Sequence, residues 1–194
     1  VADKFGDDRR TKIVKGGVKQ MSPEDLVPDD ESVLVLTKGG YVKRTNPAEY
    51  KVQKRGGVGV VDLNTKEEDI VTTLLTTSAH SDLLFFTDAG KVYQSKMYEI
   101  PEGRRATKGK SIMNFLPLTS EEHVTSVLAV RKEDWEGDWS LMMVTKNGIA
   151  KKSDAAVFKD VRRSGLIAIT LKEDDSLIAA QFVGKGDEIS LITK

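Results

Sequence analysis

Val33-Leu34-Val35-Leu36-Thr37-Lys38-Gly39-Gly40-Tyr41-Val42-Lys43-Arg44 decides the fold. An apolar run of strand length ends in Thr, a short glycine-bearing turn follows, and a second strand-like run begins. The unit returns as Leu83-Leu84-Phe85-Phe86-Thr87-Asp88-Ala89-Gly90-Lys91-Val92-Tyr93-Gln94 and as Leu141-Met142-Met143-Val144-Thr145-Lys146-Asn147-Gly148-Ile149-Ala150-Lys151-Lys152. Glu188-Ile189-Ser190-Leu191-Ile192-Thr193-Lys194 begins a fourth. The Thr markers fall at 37, 87, 145 and 193, so the periods are 50, 58 and 48 residues. Each full unit places Gly three residues after Thr, where a two-residue hairpin turn needs positive φ.

Outward from each hairpin the same order of features recurs. A basic pair and a glycine come next: Lys54-Arg55-Gly56-Gly57, Arg104-Arg105 with Gly109, and Arg162-Arg163-Ser164-Gly165. Acidic loops follow: Lys66-Glu67-Glu68-Asp69, Glu121-Glu122, and Glu173-Asp174-Asp175. Each unit then closes in another β-rich run, at Ile70–Leu75, Val124–Val130 and Leu177–Val183. Four strands in a period of about 50 residues predict an all-β, radially repeated array, with the continuous apolar first strands innermost. In such an array one repeat position maps to one rim, so basic loops gather on one belt and acidic loops on another.

That segregation matters because the whole chain of 194 residues is charge-balanced, with 30 Lys and Arg against 30 Asp and Glu. A net charge of zero argues against a simple polyanion binder unless the cations cluster. There is no cysteine, which excludes disulfides, Cys-based zinc sites and thiol nucleophiles and favours an intracellular protein. No apolar run has the length of a membrane span, and no signal peptide opens the sequence. Residues 1–20 read as a linker with a short strand at Thr11–Val14, and Ser22 to Asp30 as an edge strand and turn. The array then occupies residues 21–194, with blades at about 30–78, 81–130 and 138–183 and the start of another at 186–194.

Gln53-Lys54-Arg55-Gly56-Gly57-Val58-Gly59 is the most unusual stretch between the strands. Two cations beside three glycines describe a loop that grips a polyanion through side-chain charge and bared backbone N–H groups. It is not a Walker loop, because no Gly-Lys-Ser/Thr follows. It is not a dinucleotide fingerprint, because an apolar strand run and no helix comes after it.

This heptapeptide resembles the glycine-rich box of the C-terminal domain of bacterial DNA gyrase A. The Leu-Thr-x-x-Gly-x-x-Lys/Arg hairpins resemble its blades, and Asp8-Arg9-Arg10-Thr11-Lys12-Ile13 with Glu24-Asp25-Leu26-Val27-Pro28 resembles its opening. The topoisomerase IV domain is the close relative, but its box is degraded or missing. The resemblance implies a β-pinwheel, a propeller-like array of four-stranded blades that wraps duplex DNA around its outer rim. Wrapping would present a positive crossover for ATP-dependent negative supercoiling. The implied partners are double-stranded DNA, the remainder of gyrase A, and gyrase B, in the cytoplasm at the nucleoid. The domain itself is implied to be non-catalytic and without a cofactor. Two departures stand out. Val58 occupies a box position where the family usually carries a cation, and three units plus a fragment make a partial or truncated ring.

The resemblance implies Gln53, Lys54, Arg55, Gly56, Gly57 and Gly59 as the DNA-binding box. The rim candidates are Lys43, Arg44, Lys91, Arg104, Arg105, Lys108, Lys110, Lys151, Lys152, Arg162 and Arg163. Wrapping calls for many phosphate contacts and little base reading. Taken singly, each cation is an ordinary solvated residue. Tyr41, Tyr93, Tyr98, Phe115 and Phe158 read as packing, not base-stacking platforms. Trp135 and Trp139, in an acidic loop, read as packing or a partner contact. His80 and His123 lack ligand spacing, so no metal is expected. Two readings compete: the resemblance also allows a topoisomerase IV-type domain that docks or bends DNA without strong wrapping, and the zero net charge supports a propeller-type protein-interaction module without nucleic acid. An enzyme is not supported, since no convergent acid, base and nucleophile set is visible.

Overall fold

A computed structural model of the chain describes Gly6 and residues 22–50 and 69–192. The candidate box and the Thr11–Val14 strand lie outside these residues. Eleven strands are defined among them: β1 (Glu31–Thr37), β2 (Tyr41–Thr45), β3 (Val71–Ser78), β4 (Asp82–Thr87), β5 (Lys91–Lys96), β6 (Lys110–Ser111), β7 (Val124–Val130), β8 (Ser140–Thr145), β9 (Ala150–Asp154), β10 (Leu166–Ile167) and β11 (Leu177–Val183). Short 3-10 turns join them, and among the described residues no helix is long and apolar enough to cross a membrane. The all-β expectation holds.

The strands form three antiparallel sheets, ordered β3-β1-β2-β6, β7-β4-β5-β10 and β11-β8-β9. Each repeat contributes a hairpin and a strand beside it, and the second and third also lend a short strand to the preceding sheet. Thus β6 of the second repeat pairs with β2 (Tyr41↔Ser111, Val42↔Lys110), and β10 of the third pairs with β5. The first two blades have four strands each as expected, but the fourth is exchanged. Exchange ties successive blades by backbone hydrogen bonds as well as by side chains.

Continuous apolar strands arise because β4 is buried on both faces. Leu83 and Phe85 enter one core with Leu34, Leu36 and Val42 of the first blade. Leu84 and Phe86 enter a second core with Leu141, Met143 and Phe158 of the third. These strands are second in their sheets, and β1 and β4 are the most buried of all. Beside them β3, β7 and β11 form one edge of each sheet, and β7 packs against both others.

The hairpin turns differ in one detail from expectation. Leu36 faces Val42, so Thr37 faces Tyr41 and three residues form the loop. Gly40 donates its N–H to the Thr37 carbonyl at 3.0 Å and has φ 76°. Gly90 and Gly148 repeat this at φ 74° and 80°. Three-residue loops of this kind place a left-handed residue last, which glycine supplies at no steric cost.

The acidic loops cap these turns. Asp69 Oδ1 accepts the Gly39 N–H at 2.8 Å, and Asp175 Oδ1 accepts that of Asn147 at 3.0 Å. In the second repeat the arrangement is reversed, and Asp88 in the turn accepts the His123 N–H at 2.9 Å. Burial works upward on the Asp69 carboxyl. Hydrogen bonds from Thr37, Gly39 and Ile70 outweigh it and hold the group below its usual range. The stabilisation is therefore complete above the unfolded carboxylate pKa of about 3.9 and is lost as pH falls through the lower folded value. Asp69→Ala is expected to cost about 1 kcal/mol at pH 7 in urea unfolding, with the gap closing at strongly acid pH. Identical midpoints at pH 7 would rule out the cap.

Two segments depart from the sequence reading. Ser22 to Val27 is no edge strand. It is a 3-10 turn, Pro23–Leu26, with Ser22 and Asp25 capping each other. A strand there has no neighbour, whereas the capping pair satisfies backbone N–H groups locally. Glu188–Ile192 likewise forms no strand, since it meets no ladder partner among the described residues. The β9 edge is unpaired among the described residues and is guarded by exposed Lys151, Lys152 and Asp154.

Candidate nucleic-acid interface

The exchanged strands place the basic loops. After β5 the chain leaves the second blade, runs past the end of β2 and returns as β6. It is fastened to the first blade on the way. Arg44 donates its N–H to Pro101 O at 2.9 Å, and Gly103 donates to Arg44 O at 2.8 Å. Thr45 Oγ1 donates to Gly103 O at 3.0 Å, and Glu49 accepts the Arg105 N–H at 2.7 Å. At the next junction Gln94 does the fastening. Its Nε2 donates to Lys159 O at 3.0 Å, and its Oε1 accepts the Val161 N–H at 2.8 Å. Sequence reading missed Glu49 and Gln94, because an isolated polar residue carries no signal of what it holds.

Each loop ends in a left-handed glycine. Gly109 has φ 85°, and a Cβ there would sit 2.6 Å from the Val42 carbonyl oxygen. Gly165 has φ 83°, and a Cβ there would meet the Tyr93 ring at 2.7 Å. Only glycine lets the lent strand come this close to its acceptor.

The cations fall into three groups. Arg104, Lys110, Lys152, Arg162 and Arg163 are exposed on the outer loops and strands. Lys151 is also exposed, with its ammonium 2.8 Å from Ala168 O. Arg105, Lys108 and Arg44 are half-buried. Arg105 Nη1 donates to Glu49 O at 3.2 Å, Lys108 stands 4.0 Å over the Tyr41 ring, and Arg44 reaches Ser32 and, at 3.9 Å, Glu102. The third group is committed to partners within the protein. Lys91 pairs with Glu122 at 2.5 Å, and the Tyr93 hydroxyl donates to the same carboxylate at 2.9 Å. The hydrogen bond and charge of Glu122 raise the Lys91 pKa.

Lys43 corrects the rim reading most clearly. It is 1% exposed, and its ammonium donates to the Arg104, Arg105 and Thr107 carbonyls. Its place in β2 points inward beneath the loop, so it presents no charge to solvent. The aromatic expectations fare well. Tyr93 and Phe158 are each 2% exposed, Phe115 packs on the first core, and Tyr98 meets His80 edge-on. Trp135 donates to Asp82 at 2.9 Å, whereas Trp139 is 45% exposed.

The acidic and basic loops stand at different ends of the hairpin, with Glu49 and Glu102 beside the basic one. The acidic caps Asp69 and Asp175 sit at the hairpin-turn ends, leading into strands β3 and β11. The Arg104-Arg105 loop sits at the other end of the hairpin, beside Thr45, on the lent-strand edge.

Residues 31–78, 81–131 and 140–183 match the family model described as DNA gyrase C-terminal domain, beta-propeller. The chain belongs to this family. DNA gyrase A of Staphylococcus aureus (strain MRSA252) is 40% identical over 193 residues, which cover 100% of this chain and 22% of that protein. The solved C-terminal domain of DNA topoisomerase IV superposes with a TM-score of 0.66 at 27% identity, over 80% of this chain and 46% of that one. The solved DNA gyrase A C-terminal domain gives 0.63 at 28% identity, over 80% and 49%. In this gyrase-family chain the box residues Gln53, Lys54, Arg55, Gly56, Gly57 and Gly59 lie outside the described residues. Sequence spacing still relates them to the loops described above. Gly59 follows Arg55 by four residues, as Gly109 follows Arg105.

Proposed function

We propose that this chain binds duplex DNA along its outer edge, largely without regard to sequence, and wraps it as the DNA-handling domain of a gyrase. The observation that carries this reading is the pair of junctions at which Arg104-Arg105 and Arg162-Arg163 occupy the same place before a lent strand. Exposed Lys110, Lys151 and Lys152 continue that edge. Bending 20–30 base pairs costs on the order of 1–6 kcal/mol, so several phosphate contacts must act together. The box is the first-repeat counterpart of the two junctions, and Lys54 and Arg55 are proposed to act with them. The domain is non-catalytic in this reading. The strand-passing chemistry, the companion gyrase polypeptides and a site of action on the cytoplasmic nucleoid belong to the whole enzyme. Membership of the gyrase family and the recurrence of the basic pair at both junctions support the proposal over a protein-interaction module.

The test is a linking-number assay. Nicked circular DNA is ligated with and without the chain, deproteinised and resolved on a gel. A positive linking shift is expected, and Lys54→Ala/Arg55→Ala should abolish it. Binding with no shift would mean docking without a chiral wrap, as Val58 in the box could cause. No binding at low salt would reject the DNA reading.

A further inference from the structure

Lys43 is a buried cation in a strand that needs none for packing. Stripping water from an ammonium costs several kcal/mol unless other groups meet its charge. Here three carbonyls meet it, those of Arg104 at 3.4 Å, Thr107 at 3.0 Å and Arg105. All three belong to the loop of the second repeat, while Lys43 belongs to the first. The loop closes tightly around it. Thr107 donates both its N–H (3.0 Å) and its hydroxyl (2.7 Å) to Arg104 O. Cβ atoms built at Gly103 and Gly109 would lie 3.3 and 3.2 Å from Lys43 Cβ. The loop backbone therefore rests directly on the lysine stem.

The same repeat position, six residues after the marker Thr, is Tyr93 in the second unit and Lys151 in the third. Tyr93 gives a ring beneath Gly165 and a hydroxyl to Glu122, and Lys151 bonds Ala168 of its own repeat. An ammonium that gathers the carbonyls of an arriving loop is thus particular to the first junction.

We infer that Lys43 is a positioning residue: its ammonium draws the Arg104, Arg105 and Thr107 carbonyls inward and so fixes where the Arg104 and Arg105 side chains stand. Its role toward DNA rests on the reading of that edge as DNA-binding. It acts through its neighbours, with no phosphate contact of its own.

The test uses the 194-residue chain and a duplex of about 40 base pairs, longer than a single smoothly bent site. Lysines are acetylated under native conditions and followed by mass spectrometry. Lys43 is expected to react far more slowly than Lys110 or Lys152, whether or not DNA is present. Lys43→Met is expected to speed amide exchange at residues 103–107 and to weaken binding about tenfold, the change of one lost hydrogen-bonded charge of about 1.4 kcal/mol. Its log–log salt slope should match that of the unaltered chain. Arg104→Ala/Arg105→Ala should instead flatten the slope by about 1.8. Lys43 acetylated as fast as Lys110 and protected by DNA, or a Lys43→Met slope flatter by about 0.9, would overturn the inference in favour of direct contact. If Lys43→Met does not fold, the labelling of the unaltered chain decides. If the unaltered chain binds no duplex at low salt, the DNA reading fails and takes the DNA role of Lys43 with it. Labelling and exchange then still decide whether the clamp exists.

Discussion

Replacing Arg104, Arg105, Arg162 and Arg163 together by alanine is expected to weaken duplex binding about a thousandfold at about 0.1 M salt and to flatten the log–log salt slope by about 3.6. The size follows from counterion release, since each phosphate contact contributes about 0.9 to the slope. These four residues are chosen because their loops are fastened at successive junctions while three of the four side chains are exposed. Arg105 alone gives a side-chain hydrogen bond to Glu49 O, so the fold should lose little. Thermal midpoints within a few degrees of the unaltered chain are therefore expected. Lys91→Ala supplies the contrast. Its ammonium is committed to Glu122, so the slope should stay as it was. A quadruple variant with an unchanged slope would place the phosphate contacts elsewhere and remove this edge from the mechanism.

The hairpin repeat was legible because turn chemistry is local. Thr37, Gly40 and their counterparts each answer to a backbone need within four residues. Strand exchange was not legible. Lys110-Ser111 and Leu166-Ile167 are two-residue pairings too short to show periodicity, and what fixes them is a left-handed glycine pressed against the preceding blade. The same limit explains the rim. Sequence gives the charge of Lys43 but not its direction, and side chains on β2 alternate between the first core, where Val42 lies, and the arriving loop. Neighbouring Lys43 and Arg44 therefore part company, one caged and the other half-exposed beside Glu102. The acidic loops show no partners in the sequence either, because Asp69 and Asp175 are turn caps whose partners lie 30 and 28 residues away.

Phe86→Ala is expected to lower stability by about 3–5 kcal/mol, and Phe85→Ala by a similar amount, but at different junctions. Both rings are fully buried neighbours on β4, and their alternation sends them to opposite faces. Phe85 packs with Leu34 and Leu36 of the first blade. Phe86 meets Phe158 of the third, ring centroids 6.2 Å apart. In a stacked array each blade is stabilised by its neighbours, so loosening one junction should free the blade beyond it first. The two tryptophans make this readable. Trp135 is bonded to Asp82 on β4, and it and Trp139 line the groove at the second–third junction with Val130, Ala155 and Phe182. In Phe86→Ala the tryptophan emission change should therefore precede the loss of far-UV circular dichroism in urea. In Phe85→Ala it should not. If both substitutions move both probes alike, the three blades unfold as one unit, and the lent strands, not the side-chain cores, carry the coupling between them.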